Sequence, residues 1–101
     1  MCIRDSLYTM QLAGRGLTRG IRVNDVGPGP IETPIFPDFE EMTGRDMMQS
    51  YISMVGRVGK PDDIAEAIVV LEGESGWLNG QHIVVDGGLT AGFSAGWKTG
   101  R

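Results

Sequence analysis

The apolar residues of this 101-residue chain form two short β-type runs with helix-type spacing between them. Ile21–Val26 is rich in β-branched residues and partly alternates, which predicts a strand. Gln81–Gly88 contains the unbroken apolar run Ile83–Val85, a pattern typical of a strand that is covered on both faces. Glycine follows each run within two residues, so each strand is expected to end in a turn.

Three further segments are predicted to be helical. Gln11–Gly20 has the character of the end of a helix, with Gly20 as its stop. Residues 37–55 are expected to form two helical pieces separated by Gly44. The second of these pieces places four apolar or aromatic residues on one face: Met48, Tyr51, Ile52 and Val55. The tail from Leu89 to Arg101 has no clear period.

The strongest helix signal begins at Pro61. Proline suits the first helical position, and Asp62 and Asp63 lie in the first turn, near the positive end of the helix dipole. The helix is predicted to run to Leu71. Its inward stripe is expected to consist of Ile64, Ala65, Ile68 and Leu71.

This order of elements is that of a β–crossover–β unit. It predicts an α/β fold, the C-terminal part of a Rossmann-type doubly wound parallel sheet with its last two strands and their helices. Ligands of such sheets lie outside the carboxyl ends of the strands. Two strands are too few for an independently stable sheet, so the chain is expected to be part of something larger.

The stretch VGPGPIETP, residues 26–34, follows the first predicted strand and interrupts it completely. Pro28, Pro30 and Pro34 cannot belong to the interior of a strand or helix, because proline fixes φ and lacks an N–H. Gly27 and Gly29 have no β-carbon, so another molecule could approach the backbone closely there. A shaped, ligand-facing loop is therefore predicted at a strand's carboxyl end.

Composition narrows the possible partners. The net charge is −4 and lysine and arginine are scattered, so nucleic acid is not an expected partner. No apolar run approaches the length of a bilayer span and no signal peptide is visible, so we expect no membrane association and a cytoplasmic location. Cys2 is the only cysteine, which rules out a disulfide or a cysteine metal site within the chain. No metal site is expected.

The first nine residues look foreign to the rest. Met1–Thr9 has no periodicity worth scoring, and the genetic code allows it to be written as DNA containing an inverted repeat, as in a sequencing adapter. We therefore predict that Met1–Thr9 is a non-native, adapter-derived segment. Residues 10–101 are predicted to be the C-terminal portion of a single NAD(P)-binding Rossmann domain. An ordinary frayed N-terminus is the alternative.

Three motifs in series carry a family resemblance. GIRVNDVGPGPIETP, GRVGKPDDIAEAIVVL and GQHIVVDGG, within residues 20–88, resemble the C-terminal part of a classical short-chain dehydrogenase/reductase. The resemblance implies NAD or NADP as the cofactor and hydride transfer between an alcohol and a carbonyl. It leaves the choice between NAD and NADP open, because the family sets that preference after a strand that this chain lacks. The substrate is also left open.

The resemblance also implies the cofactor contacts. Pro28 and Gly29 would pass beneath the nicotinamide, the Ile31 backbone would hydrogen-bond the carboxamide, and Thr33 would reach the carboxamide or the pyrophosphate. The alternative for Thr33 is a helix N-cap or turn residue. The helical pair after Thr33 would be a substrate lid, although core packing is an equal alternative for each of its apolar candidates. These are Phe36, Phe39, Met42, Met47 and Met48.

No catalytic residue is expected in the chain. The family's catalytic serine and its Tyr-x-x-x-Lys pair would precede residue 20, and both tyrosines lack a lysine four residues on: Tyr8 is followed by Leu12 and Tyr51 by Val55. Without a phenol beside a lysine, no acid is poised for the carbonyl oxygen. The chain alone is therefore predicted to be inactive.

The remaining candidates have structural interpretations. Asp25 and Gly27 stand where the family has small apolar residues. His82 is interpreted as a surface or interface residue rather than a ligand, and Arg57 as an ion-pairing residue at the start of a helix. The last strand is a candidate sheet edge, and the resemblance implies a homodimer or homotetramer, with Val84 and Trp77 as contacts. The alternative cover is the tail itself, through Phe93 and Trp97.

A second class of function stays open from the sequence. The chain could be a non-catalytic α/β module that binds a nucleotide or pairs with a partner through its sheet edge. A start codon at Met10 would favour this module. Upstream sequence encoding Gly-x-x-x-Gly-x-Gly and Tyr-x-x-x-Lys would instead favour the enzyme.

Overall fold

The computed structural model describes residues 3–73 and 76–98, apart from the side chain of Phe39. Its two strands are β1 (Asp25–Pro28) and β2 (His82–Val85). Its helices are α1 (Ile3–Leu17), α2 (Phe36–Thr43), α3 (Arg45–Val55), α4 (Pro61–Glu72) and α5 (Leu89–Ala95). The predicted order of strand, loop, helices and strand is confirmed.

The two strands pair in parallel, with Asp25 opposite His82 and Pro28 opposite Val85. Since side chains alternate across a strand, Asp25 and His82 share one face of the sheet and Val26 and Ile83 the other. The carboxyl ends of both strands meet at one edge. There, the loop after Pro28 and the turn after Val85 lie side by side, as in Rossmann-type sheets.

The first strand lies later in the chain than predicted. The sequence favoured Ile21–Val26, whereas β1 spans Asp25–Pro28. Residues before Asp25 meet the neighbouring segment through side-chain amides: Asn79 Oδ1 accepts the Val23 N–H at 2.9 Å. Pro28 is tolerated as the last strand residue because the next ladder bond is donated by Gly29, whose N–H lies 3.0 Å from the Val85 carbonyl oxygen.

The sequence predicted only the end of a helix, at Gln11–Gly20, whereas helix α1 begins well before Gln11. Although the sequence of Met1–Thr9 shows no periodicity worth scoring, the chain is helical from Ile3 onward, because Thr9 and Ala13, one turn apart, are buried and give α1 a packed stripe. Met1 and Cys2 lie outside the described residues. The helix ends before Gly20, whose φ of +70° fits a glycine stop.

Helices α2 to α4 follow the predicted pattern. Gly44, with φ +99°, separates α2 from α3, and Pro61 begins α4. On α3, the predicted face of Met48, Tyr51, Ile52 and Val55 is buried or half-buried. The stripe predicted for α4 is partly wrong: Ala65 and Ile68 are exposed, because nothing in the described residues covers that part of the helix.

The tail also departs from expectation. Its first part forms the short helix α5, which packs on α3. Val84 on β2 stays 46% exposed, so the predicted coverage of this strand on both faces is wrong for this chain. Residues 99–101 of the predicted tail lie outside the described residues. Among those described, no helix is long and apolar enough to cross a membrane.

Few side chains are fully buried. Among the described residues, the buried hydrophobic ones are Ala13, Met48 and Met54. Exposed large apolar side chains lie on α4 and around β2: Ile68, Val69, Val70, Trp77 and Val84. Apolar surface of this extent is typical of a surface that another segment or chain covers.

We expect the β2 edge to be a self-association surface in the full-length protein. Val84→Lys places a charge on it and should shift light scattering toward smaller species, because the amine would have to be desolvated in the contact. Met42→Lys on α2 is the matched control, since Met42 is 87% exposed and lies elsewhere. Equal masses for wild type and Val84→Lys would contradict this expectation.

Candidate functional site

The loop after β1 is held from one side by the glycine that precedes α4. Ile31 and Gly59 form an isolated parallel bridge, in which the Glu32 N–H donates to the Gly59 carbonyl at 2.8 Å and the Gly59 N–H donates to the Pro30 carbonyl at 2.9 Å. A β-carbon at Gly59 would stand 2.7 Å from Ile31 Cδ1. A larger residue at position 59 would therefore displace the end of the Ile31 side chain and crowd the Pro30 carbonyl, 3.3 Å away.

Gly29 lies against the end of β2. A β-carbon there would stand 2.6 Å from Asp86 Cβ and 2.9 Å from Asp86 Cα. The sequence predicted that the missing side chain admits a ligand. In the structure, Asp86 occupies the space that a side chain at Gly29 would need, so the glycine serves the packing of the two loops.

The clamp leaves polar groups of the loop without a partner. In a parallel bridge the bonds run through the neighbouring residues, so the Ile31 N–H points away from Gly59. This N–H and the Thr33 hydroxyl make no hydrogen bond within the described part of the chain. The Thr33 carbonyl accepts the Phe36 N–H at 2.9 Å, while its side chain does not cap α2.

A cavity of about 310 Å³ lies beside the loop. Its walls come from Pro30 and Ile31 of the loop, from α3, from the end of β2 and from the start of α5. The α3 side chains in the wall are Tyr51, Ile52 and Val55. Pro28 and Gly29 lie on a different, open groove beside α1, and Thr33 lines neither concavity.

The apolar candidates named for a lid are not the residues that line this cavity. Met48 is completely buried and belongs to the core, so the packing alternative is the correct one there. Met42 and Met47 are exposed, and Phe36 is half-buried away from the cavity. The side chain of Phe39 lies outside the described residues. The sequence had placed Tyr51, Ile52 and Val55 on one helical face but had assigned them no functional role.

The charged groups on the cavity wall are paired within the chain. Arg57 binds Asp63 with both terminal nitrogens, at 2.8 and 3.1 Å, as predicted for an ion-pairing residue at a helix start. Asp63 also accepts the Lys60 N–H at 2.7 Å. The Arg57 guanidinium and the Lys60 N–H together lower the pKa of Asp63 from 3.8 to about 2.

Asp86 joins the end of β2 to α5. Its carboxylate accepts the N–H of Gly88 at 2.9 Å and that of Thr90 at 2.8 Å. Burial raises the pKa of Asp86, but hydrogen bonds from Thr90 and the neighbouring amides outweigh burial, and the pKa falls below its ordinary value. Asp86 is thus a charged anchor at the carboxyl edge of the sheet.

Asp25 Oδ1 and His82 Nδ1 form a cross-strand hydrogen bond. His82 is not a freely exposed surface residue, because the parallel register places its ring against Asp25 in a half-buried position, and its interpretation as an interface residue stays a prediction. The Thr9 hydroxyl and the His82 ring lower the pKa of Asp25, while burial raises it. Asp25 stands where the family has a small apolar residue, and its carboxylate finds a partner on the next strand, His82.

Two further polar side chains, which the sequence gave no role, tie the amino ends of the strands together. Arg22 donates to the carbonyls of Leu71, Gly73 and Leu78 at 3.1–3.2 Å. Asn24 donates to the Leu78 carbonyl at 3.1 Å and accepts the Gln81 N–H at 3.0 Å. Their partners lie about fifty residues on, so no local sequence signal reveals them.

A parallel strand pair flanked by helices, with glycine-rich turns at its carboxyl edge, defines the chain as part of a Rossmann-type α/β domain. The family model described as enoyl-(acyl carrier protein) reductase matches residues 7–90. Acetoacetyl-CoA reductase of Allochromatium vinosum is 39% identical over 85 residues, which cover 81% of this chain and 33% of the relative. The chain belongs to the short-chain dehydrogenase/reductase family.

Solved structures agree over the same region. A short-chain type dehydrogenase/reductase from Mycobacterium ulcerans superposes with a TM-score of 0.75 at 25% identity, covering 93% of this chain and 36% of the other. A short-chain oxidoreductase from Pseudomonas aeruginosa PAO1, solved with NADPH bound, gives 0.69 at 28% identity, covering 83% and 35%. The chain spans about a third of the length of the relatives it matches.

Gly29→Ala should lower the free energy of unfolding by about 1–3 kcal/mol, because the new methyl group overlaps Asp86 and neither backbone can yield easily. The measurement is urea unfolding of the full-length protein at one fixed concentration. Gly14→Ala is the matched control, since a β-carbon at Gly14 meets nothing within 4 Å. A Gly29→Ala variant as stable as wild type would show that the close approach does not contribute to stability.

The Arg57–Asp63 pair should make the free energy of unfolding depend on pH in the acidic range. Because the pKa of Asp63 is lowered on folding, the pair stabilises the fold above the ordinary value of 3.8 and loses its effect as pH falls toward about 2. The difference in unfolding free energy between wild type and Asp63→Asn should therefore shrink over this range. A constant difference for Asp63→Asn would contradict the assignment.

Proposed function

We propose that this chain is the C-terminal, cofactor-floor portion of an NAD(P)-dependent oxidoreductase that interconverts an alcohol and a carbonyl. When bound, NAD(P)H supplies a hydride to the carbonyl carbon while a proton goes to the oxygen, leaving NAD(P)⁺ and the alcohol. Acetoacetyl-CoA reductase, named above, is by its name a reductase, which supports this reaction class.

One observation carries the proposal: the clamped loop has an N–H directed away from its clamp, at Ile31, and two residues further on a hydroxyl without a partner in the described chain, at Thr33. The Ile31 N–H and the Thr33 hydroxyl lack partners in the described chain, whereas the neighbouring Glu32 N–H already donates to the Gly59 carbonyl. A carboxamide carries both an acceptor and a donor, so it suits this pair. We infer that Ile31 and Thr33 hold the nicotinamide carboxamide and that Pro28 and Gly29 form the floor beneath the ring.

The clamp gives these groups a fixed direction. Pro28 and Pro30 restrict φ, and the bridge to Gly59 fixes the loop from behind, so little conformational entropy remains to be lost on binding. The adjoining cavity has mainly apolar walls, and its Arg57, Asp63 and Asp86 are already paired within the chain. An uncharged alcohol or ketone is the substrate class that fits such walls.

The chain alone is proposed to be inactive. The acid–base tyrosine and its lysine are expected upstream, in the part of the family fold that the chain does not span. We also propose that Met1–Thr9 is adapter-derived, although the family match begins at residue 7 and Thr9 packs in the fold. A genomic reading frame that encodes these nine residues would contradict the adapter origin. The cytoplasmic location and the homo-oligomeric state stay predictions.

Restoring the upstream gene sequence separates the enzyme from a free-standing module. We expect Gly-x-x-x-Gly-x-Gly and Tyr-x-x-x-Lys in frame with Gln11. A genuine start codon at Met10 would instead favour a non-catalytic module that binds a nucleotide or a partner.

In the full-length enzyme, Thr33→Val keeps the side-chain volume but removes the hydroxyl. The carboxamide would lose one partner in a buried site, at a cost of about 1–3 kcal/mol, so the dissociation constant for NADH or NADPH should rise about fivefold or more. Fluorescence titration measures it. Thr18→Val, at an exposed turn after α1, is the control. Unchanged binding in Thr33→Val would mean that the loop acts through its backbone alone.

A further inference from the structure

Helix α5 contacts the helix that forms one wall of the cavity. The rings of Phe93 on α5 and Tyr51 on α3 meet edge to face, with centroids 5.2 Å apart and planes at 90°. Tyr51 also lines the cavity beside the Pro-Gly loop. One side chain of α3 is thus shared between the cavity wall and the contact with the tail.

Gly92 sets how closely the two helices approach. The residue is buried, and a β-carbon there would overlap the Met54 sulfur and stand 3.0 Å from Trp97 Cε3. Met54 is itself buried on α3. Gly92 therefore fits the surface of α3 only because it lacks a side chain.

The other end of α5 is fixed to the sheet. Asp86, the residue after β2, accepts the N–H groups of Gly88 and Thr90 and so starts the helix at the strand end. Leu89, the first residue of α5, lines the same cavity as Tyr51. Helix α5 therefore begins at the end of β2, where Leu89 lines the cavity, and packs on α3.

We propose that α5 is a latch that positions α3, with Gly92 and Phe93 as its positioning residues and Tyr51 as the side chain through which it sets the width of the cavity. The cavity's use as a substrate pocket rests on the proposed function, but the latch does not. An edge-to-face ring pair is directional, so it fixes the orientation of the Tyr51 ring as well as its distance. The residues of this contact would then decide which ligand shapes the cavity accepts.

The experiment combines hydrogen exchange with a tyrosine signal on the full-length protein. Removing the ring in Phe93→Ala should accelerate exchange of the α3 amides at least tenfold while the β2 and α4 amides keep their rates. Gly92→Ala should act in the same direction by pushing the helices apart. Gly14→Ala, a glycine in α1 with open space around it, is the control and should leave α3 unchanged.

The second readout reports on ring orientation. In full-length protein labelled with ¹³C-tyrosine, the signal that disappears in Tyr51→Phe is that of Tyr51, and the remaining tyrosine signals serve as the internal reference. Phe93→Ala should shift the Tyr51 ring signal by removing the neighbouring ring current and leave the other tyrosine signals in place. Phe93→Tyr keeps a ring at this position and should restore both the signal and the slow exchange of α3.

Either of two results overturns the proposal. Unchanged α3 exchange in Phe93→Ala would mean that α5 does not hold α3, and failure of Phe93→Tyr to restore the Tyr51 signal would remove the role of the ring pair. If Gly92→Ala accelerates exchange throughout the chain, the test of the proposal rests on Phe93→Ala alone. Phe93 is 56% exposed, so its truncation disturbs no buried core.

Discussion

The carboxyl edge of the sheet depends on the absence of a side chain at Gly29. Because nothing but hydrogen stands on this α-carbon, Asp86 can pack directly against the loop while the Gly29 N–H continues the ladder to Val85. Asp86 then anchors α5, and Gly59 clamps the loop from its other side. This edge of the sheet thereby brings together four segments that lie up to about sixty residues apart in the chain: the loop after β1, the segment at Gly59, the end of β2 and the start of α5.

The cofactor proposal follows from this constraint. A loop fixed by Gly29 and Gly59 has no freedom to fold its remaining polar groups inward, so the Ile31 N–H and the Thr33 hydroxyl stay available for a ligand. The prolines then serve two purposes: they restrict the loop, and they remove N–H groups that would otherwise need partners. Packing and ligand binding are thus properties of the same short segment.

The sequence predicts the elements whose signals are local. Helix α4 was foreseen because Pro61 and the two aspartates mark its start, and the break between α2 and α3 because Gly44 interrupts the pattern. The parallel pair and the glycine-rich edge follow from the order of elements. The loop residues Pro28, Gly29, Ile31 and Thr33 were named from the family resemblance, and the structure puts them in one segment with two free polar groups.

Features that depend on partners far along the chain could not be predicted from the sequence. Strand β1 is displaced because Asn24 and Asn79 replace ladder bonds with side-chain bonds across more than fifty residues. Helix α5 contains Thr90 and Gly92, which both have low helix propensity. Its formation depends instead on the hydrogen bonds to Asp86 and on packing against α3. The Asp25–His82 pair requires the parallel register to be known first.

The central claim is that the clamped loop directs the Ile31 amide at the nicotinamide. Backbone amide shifts of the full-length enzyme, followed by NMR during titration with NADH or NADPH, test it most directly. The Ile31 amide should move most, while the Glu32 and Gly59 amides, already bonded within the chain, should move little. Equal shifts at all three positions, or none at Ile31, would contradict the claim.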